Sequence, residues 1–251
     1  MTEERAERPD PAGAQGRFPP ILMYHSVAHT ADDPYNITVT PERLDRQLAW
    51  LRRRGLRGVS VAELLDAHTA GRSRGMVGLT FDDGYADFAE HALPVLRRHR
   101  CTATLYVVAG RIGEVNAWDE QGDRRRLLDA DGVRAMARAG VEIGAHGMLH
   151  RHMAGLPEAE LKDETAGCRA LLEEVLGRAP AGFCYPYGEA DAAAAAAVED
   201  AGFAYACGIR RTGLTGRWAL PRRYVGSMDV WWRLEAKLLK QRLTERGGVP
   251  L

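Results

Sequence analysis

The stretch "LTFDDGYADF", Leu79 to Phe88, decides how the chain is read. An apolar run with the character of a buried β-strand stops at two adjacent carboxylates, Asp82 and Asp83, followed by Gly84. Asp is at home in turns because its side chain bonds to nearby backbone, which is one explanation of the pair. The other is a cation that offsets the repulsion between like charges at neighbouring positions.

Outward from this stretch, short β-rich runs alternate with helical patterns. "ILMY" (Ile21 to Tyr24), "GMVGLTF" (ending at Phe81), "TATLYVVAG", "VEIGA" (ending at Ala145), "AGFC" (ending at Cys184) and "FAYACGI" read as strands. Between them lie helical segments. One is capped by Thr40 with Pro41 at its first position and Gly55 as its stop; a second has Ser60 and Glu63 in capping-box spacing. "YADFAEHALPVLRRHR" reads as a helix broken near Pro94, and "LPEAELKDETAGCRALLEEVLG" as one long helix. "RIGEVNAWDEQGDRRR" is a loop-rich insertion. Repeated βα units argue for a parallel sheet, open or closed into a barrel.

The polar residues fall in one pattern. His25, the Asp82–Asp83 pair, His146 and the turn Tyr185–Pro186–Tyr187 each sit just past the C-terminal end of a strand. In a βα barrel those ends share one face, where active sites are built. Four separated segments therefore converge on one mouth.

The bulk properties narrow the classes. A chain of 251 residues can bury one large core, and residues 18–251 are expected to form a single domain after a disordered tail at 1–17. With 34 basic and 34 acidic residues, nothing points to nucleic acid as a partner. The apolar stretches are too short to span a membrane, and the charged N-terminal segment has no apolar h-region, so a cytoplasmic location is expected. Four cysteines lie far apart with no CxxC pair, which suits reduced, buried thiols. Oligomeric state stays open.

"HGMLH" places His146 and His150 four apart. If the segment turns helically, both imidazoles share one face and can hold an ion; structural or surface histidines are the alternative. With Asp83 from the same mouth, two imidazoles and a carboxylate make a three-ligand zinc-type site with a position left for water. Asp82 is then free to take a proton from a water that the cation acidifies. Amide hydrolysis also needs an acid to protonate the departing amine. All eight histidines lie at or before residue 152, and His25 is the best placed of those not already assigned; His152 is treated as spare.

"TFDDG" (Thr80 to Gly84), "HGMLH" and "YPYG" (Tyr185 to Gly188), with the opening "MYHSV", resemble the motifs of the polysaccharide deacetylase (NodB-homology) family, the fourth carbohydrate esterase family, over roughly residues 19 to 225. The resemblance implies an α/β fold, a distorted (β/α)7-type barrel. It also implies a divalent metal, zinc with cobalt or nickel as alternatives, held by Asp83, His146 and His150. Asp82 becomes the general base, and a backbone N–H of the "YPYG" turn, at Tyr187, an oxyanion donor. Many members carry Arg where this chain has Cys184; Arg222, in "LPRRYV", is the candidate replacement. The family's Asp-Trp motif has only a loose echo in "MDVWW". Its late histidine is absent, and members that open with "MYH" bring the acid from the first strand, which agrees with His25.

The expected activity is metal-dependent N-deacetylation of an amino sugar. A cytoplasmic setting favours an oligosaccharide or small amino-sugar compound over a polymer. O-deacetylation of a sugar, and carbohydrate binding without turnover, are the competing readings. Trp118, Asp119, Trp231 and Trp232 either line a sugar-stacking surface or pack an extended loop and the terminal helix.

Overall fold

The structure is a computed structural model and describes residues 18–209, 214 and 216–244; the expected tail at 1–17 lies outside the described residues. Seven parallel strands close into a ring: β1 (Ile21–Tyr24), β2 (Met76–Phe81), β3 (Thr104–Val107), β4 (Glu142–Ala145), β5 (Gly182–Cys184), β6 (Tyr205–Gly208) and β7 (Leu220–Tyr224). Neighbours in sequence pair in order, and β1 closes the ring by pairing β7 on one side (Leu22 with Arg223) and β2 on the other (Leu22 with Leu79). An extra strand, Arg57–Val59, pairs with the first half of β2, and β3 with the second half. This wedge distorts the barrel.

Neither that extra strand nor β7 is legible as a strand in sequence. Arg57–Val59 is three residues long, and β7 carries Pro221, Arg222 and Arg223 where an apolar run would be expected. Pairing with neighbours supplies what local pattern does not.

Strand side chains alternate between two cores. Ile21, Tyr106, Cys184, Tyr205, Cys207 and Leu220 fill the barrel, whereas Leu22, Tyr24, Leu79, Phe81, Leu105 and Phe183 face the surrounding helices. The interior is narrow. A Cβ on Gly182 would come within 2.2 Å of the Tyr205 side chain, and one on Gly144 within 2.5 Å of the Tyr106 ring, so glycine at these positions makes room for the two tyrosines. At the base of the barrel Glu142 accepts from Tyr205 Oη and Thr104 Oγ1, both at 2.7 Å, and from the Ala62 N–H at 3.0 Å.

The helices are α1 (Pro41–Arg53), α2 (Val61–Thr69), α3 (Leu93–Arg98), α4 (Ala130–Arg138), α5 (Glu158–Lys162), α6 (Cys168–Leu176), α7 (Ala192–Asp200) and α8 (Trp231–Thr244). Thr40 caps α1 by accepting from the Arg43 N–H, and Ser60 caps α2 by accepting from the Glu63 N–H. The capping box of α2 is only half made: Thr102 Oγ1 accepts from the Ser60 N–H and donates to Glu63, so a hydroxyl bridges what the box would join directly.

Two expected helices run through π turns. Phe88–Ala92 leads without a break into α3, with the Leu93 N–H reaching back five residues to the Phe88 carbonyl. The wider turn takes up Pro94, which lacks a donor, where a break was expected. The long helix likewise passes from α5 through the π turn Asp163–Gly167 into α6. All four cysteines are free. Among the described residues no helix is long and apolar enough to cross a membrane.

Candidate active site

At the end of β2 the chain turns on two consecutive left-handed residues, Asp83 (φ 74°) and Gly84 (φ 77°). A left-handed Asp is uncommon and mildly strained. Its consequence is that the adjacent carboxylates meet different neighbours. Asp82 keeps the inward register of β2 and lies 2 % exposed beside Arg222 from β7. The Arg222 fork donates to both of its oxygens, at 2.5 and 2.8 Å, and also to Thr80 Oγ1 at 3.0 Å. Burial opposes the charge on Asp82, but Arg222 first, then His146 and His25, outweigh it and hold the carboxyl below its usual range.

Asp83 has no such partner. Its Oδ1 is buried without a hydrogen bond and faces His146 Nε2 at 3.4 Å and His150 Nε2 at 3.3 Å. The His146 Nδ1 lies 2.8 Å from the Cys184 carbonyl. That oxygen can only accept, so Nδ1 carries a hydrogen and Nε2 is the ring atom that faces Asp83. Burial raises the Asp83 carboxyl, and the two imidazoles beside it more than reverse this, leaving it well below the ordinary value. For His150, burial prevails and pushes the imidazole down.

The helical turn expected for His146–His150 does not form. The segment is a loop with Gly147 at φ 76° and His150 at φ 59°, and these left-handed positions bring the rings to 4.9 Å between centroids. The His150 ring is stacked under Trp118 at 4.5 Å and meets the edge of Tyr187 at 4.7 Å. Trp118 thus packs on a site histidine. Trp231 and Trp232 open α8 and are exposed. His152, set aside as spare, stacks on Tyr187 at 3.7 Å. Its signal was present only as proximity to His150 in sequence.

His25 follows β1, with Nε2 at 3.9 Å from Asp82 Oδ2 and Nδ1 buried without a partner. The chain just after it is pinned by Asp87, which accepts from Ser26 Oγ at 2.5 Å and the Val27 N–H at 3.1 Å. Tyr187 occupies a left-handed position (φ 58°, ψ 0°) in the turn after β5. The mouth therefore gathers His25, Asp82, Asp83, His146, His150, Tyr187 and Arg222.

Two sets of three donors lie close enough to share an ion: Asp83, His146 and His150, and Asp82, His146 and Cys184. The second is already engaged, since both Asp82 oxygens take the Arg222 fork and burial raises the Cys184 thiol, keeping it protonated. The first fits a cation. It offers an unpaired buried carboxylate oxygen and two imidazole Nε2 atoms, the donor set of an open zinc-type site.

The family model for polysaccharide deacetylases matches residues 69–206. A putative polysaccharide deacetylase, YxkH of Bacillus subtilis, is 26% identical over 186 residues, covering 73% of this chain and 62% of the relative. A poly-beta-1,6-N-acetyl-D-glucosamine N-deacetylase of Escherichia coli is 32% identical over 133 residues, 50% of this chain but 20% of that protein. The chain thus spans less than two thirds of either relative. Among solved structures, IcaB from Ammonifex degensii superposes with a TM-score of 0.73 at 25% identity, covering 89% of this chain and 98% of that one. The Streptococcus pyogenes deacetylase PplD, solved in complex with acetate, superposes with a TM-score of 0.72 at 20% identity, covering 88% and 97%, a likeness of fold.

Proposed function

The chain belongs to the polysaccharide deacetylase family, and on that premise we propose that it hydrolyses the N-acetyl group of an amino sugar. The observation that carries the reading is the unlike treatment of two neighbouring carboxylates. Asp82 is clamped by Arg222 beside His25, whereas Asp83 Oδ1 stands unpaired against two imidazoles.

In this reading Asp83, His146 and His150 hold a divalent cation, zinc by the nature of the donors. Bound there, such an ion polarises an acyl carbonyl and brings the pKa of a water toward about 7. Asp82, kept ionised by Arg222, receives the proton of the attacking water. Arg222 also fixes the rotamer, so the acceptor oxygen does not swing away. His25 gives a proton to the departing nitrogen as the C–N bond breaks, and the backbone N–H of Tyr187 donates to the carbonyl oxygen as charge gathers there. Water adds across the amide, giving acetate and a free amine.

Two relatives by sequence, one from Escherichia coli and one from Staphylococcus aureus, are named poly-beta-1,6-N-acetyl-D-glucosamine N-deacetylases, and they support a glucosaminyl substrate. We extend the proposal to β-linked N-acetylglucosamine oligomers. The test is acetate release from N-acetylated and O-acetylated mono- and oligosaccharides. It is run on metal-depleted protein and after zinc, cobalt or nickel is restored, with Asp82→Asn alongside. Metal-restored release from N-acetyl sugars, lost in the variant, supports the proposal. Release confined to O-acetyl sugars and undiminished in His25→Ala replaces it with an esterase.

A further inference from the structure

Glu164 lies on the π turn between α5 and α6, outside the groups assigned any chemistry above, yet it is 2 % exposed. An ionisable side chain at that depth is costly unless hydrogen-bonded. Its partners are backbone donors of the loop that carries His150. Oε2 accepts from the Met148 N–H at 2.7 Å, and both oxygens accept from the Leu149 N–H at 3.2 Å. The carbonyl side of the same loop is held as well: the Ala109 N–H donates to Gly147 O at 3.0 Å and the Gly110 N–H to Met148 O at 2.9 Å.

The loop is built around this carboxylate. Gly147 has φ 76°, and a Cβ there would stand 2.6 Å from Glu164 Oε2, so both the backbone conformation and the close approach call for glycine. His150, three residues on, has φ 59°, a conformation a β-substituted residue keeps only when its surroundings impose it. The π turn sets Glu164 facing the loop, a role such turns often have beside functional sites.

We propose that Glu164 is a positioning residue for the metal centre: by holding the Met148 and Leu149 N–H groups it fixes the His150 imidazole at ligating distance from Asp83. It acts through the loop backbone and touches neither cation nor substrate. The inference rests on the reading of Asp83, His146 and His150 as ligands, and its test separates the two.

The experiment measures cobalt(II) and zinc dissociation constants on metal-depleted wild type, Glu164→Ala and Glu164→Gln. The visible spectrum of the cobalt form reports coordination, and circular dichroism confirms the fold. Loss of a group that orients a ligand weakens metal binding by about 10–100-fold, and that is expected for Glu164→Ala, with an altered cobalt spectrum. Glu164→Gln keeps an acceptor for the loop and recovers most of the affinity. A merely structural Glu164 would lower the melting temperature while leaving both the dissociation constant and the spectrum of the folded fraction at wild-type values, and that result overturns the proposal. If Glu164→Ala does not fold, Glu164→Asp, one methylene too short to reach both N–H groups, takes its place with the same expected loss; wild-type affinity there also overturns it. Wild type that binds no cation removes the ligand reading itself, whereas binding by wild type and variants alike removes only the role of Glu164.

Discussion

The barrel holds acidic side chains at both ends, and the two ends treat them oppositely. At the base, Glu142 is satisfied by two hydroxyls and a backbone N–H, all neutral donors. At the mouth, Asp82 is matched to a guanidinium and Asp83 Oδ1 to nothing. Folding alone rewards the first arrangement, because a buried acceptor without a donor costs about 1–3 kcal/mol. An unpaired carboxylate oxygen next to two imidazole nitrogens makes sense when a cation completes the set.

Four changes test that contrast, taken in order of falling effect. Asp82→Asn removes the proton acceptor, and kcat of the folded protein is expected to fall by about 10²–10⁴-fold with cation binding retained, at some cost in stability because Arg222 loses its counter-charge. Metal titration alongside turnover checks this. Arg222→Ala leaves a buried carboxylate without its counter-charge, and urea unfolding is expected to show a loss of about 3–5 kcal/mol. Arg222→Lys keeps charge but not the fork, and should fall between wild type and the alanine variant in both stability and kcat.

Cation removal and return form the third. Adding zinc to metal-depleted protein at about 100 times its dissociation constant should stabilise the fold by about 2.7 kcal/mol, seen as a rise in melting temperature, and Asp83→Asn should abolish most of that rise. At the base, Glu142→Gln is expected to cost about 1–3 kcal/mol in urea unfolding while kcat of the folded protein stays at the wild-type value. A drop in kcat there would mean that the two ends are not independent.

Asp191, the cap of α7, supplies a pH control outside the Asp82 and Glu142 clusters. It accepts from the Ala194 and Gly155 N–H groups, each at 2.8 Å, and these bonds, Ala194 first, lower its carboxyl pKa. A depressed folded pKa means stability that is fully present above the unfolded value near 3.9 and is lost as pH falls through the folded value. Asp191→Ala should therefore cost about 1 kcal/mol at pH 7 and progressively less below pH 4, measured by thermal unfolding across pH.

Much of the barrel can be read along the chain because its signals are local. Apolar runs end at His25, Asp82, His146 and Tyr185, and Thr40 and Ser60 cap their helices as their spacing predicts. What escaped reading is non-local or conformational. Arg222 is reached in the sequence only through the family resemblance, because it meets Asp82 from 140 positions away, on a strand whose Pro and Arg content hides it. The geometry of His150 depends on left-handed residues in a loop, not on a helical repeat, and spacing alone does not distinguish the two. Glu164 sits in "KDETAG", where a buried acid looks like any exposed helical one.

The amino-acid order by itself determined which residue types stand at the ends of the strands, and hence that carboxylates and imidazoles would meet at one mouth of a βα fold. Only the closed ring decided which of two adjacent aspartates is neutralised by Arg222 and which stays unpaired. Closure between β1 and β7, and the left-handed turn at Asp83 and Gly84, set those partners in space, and no local pattern of the chain encodes a distance between strands so far apart in sequence.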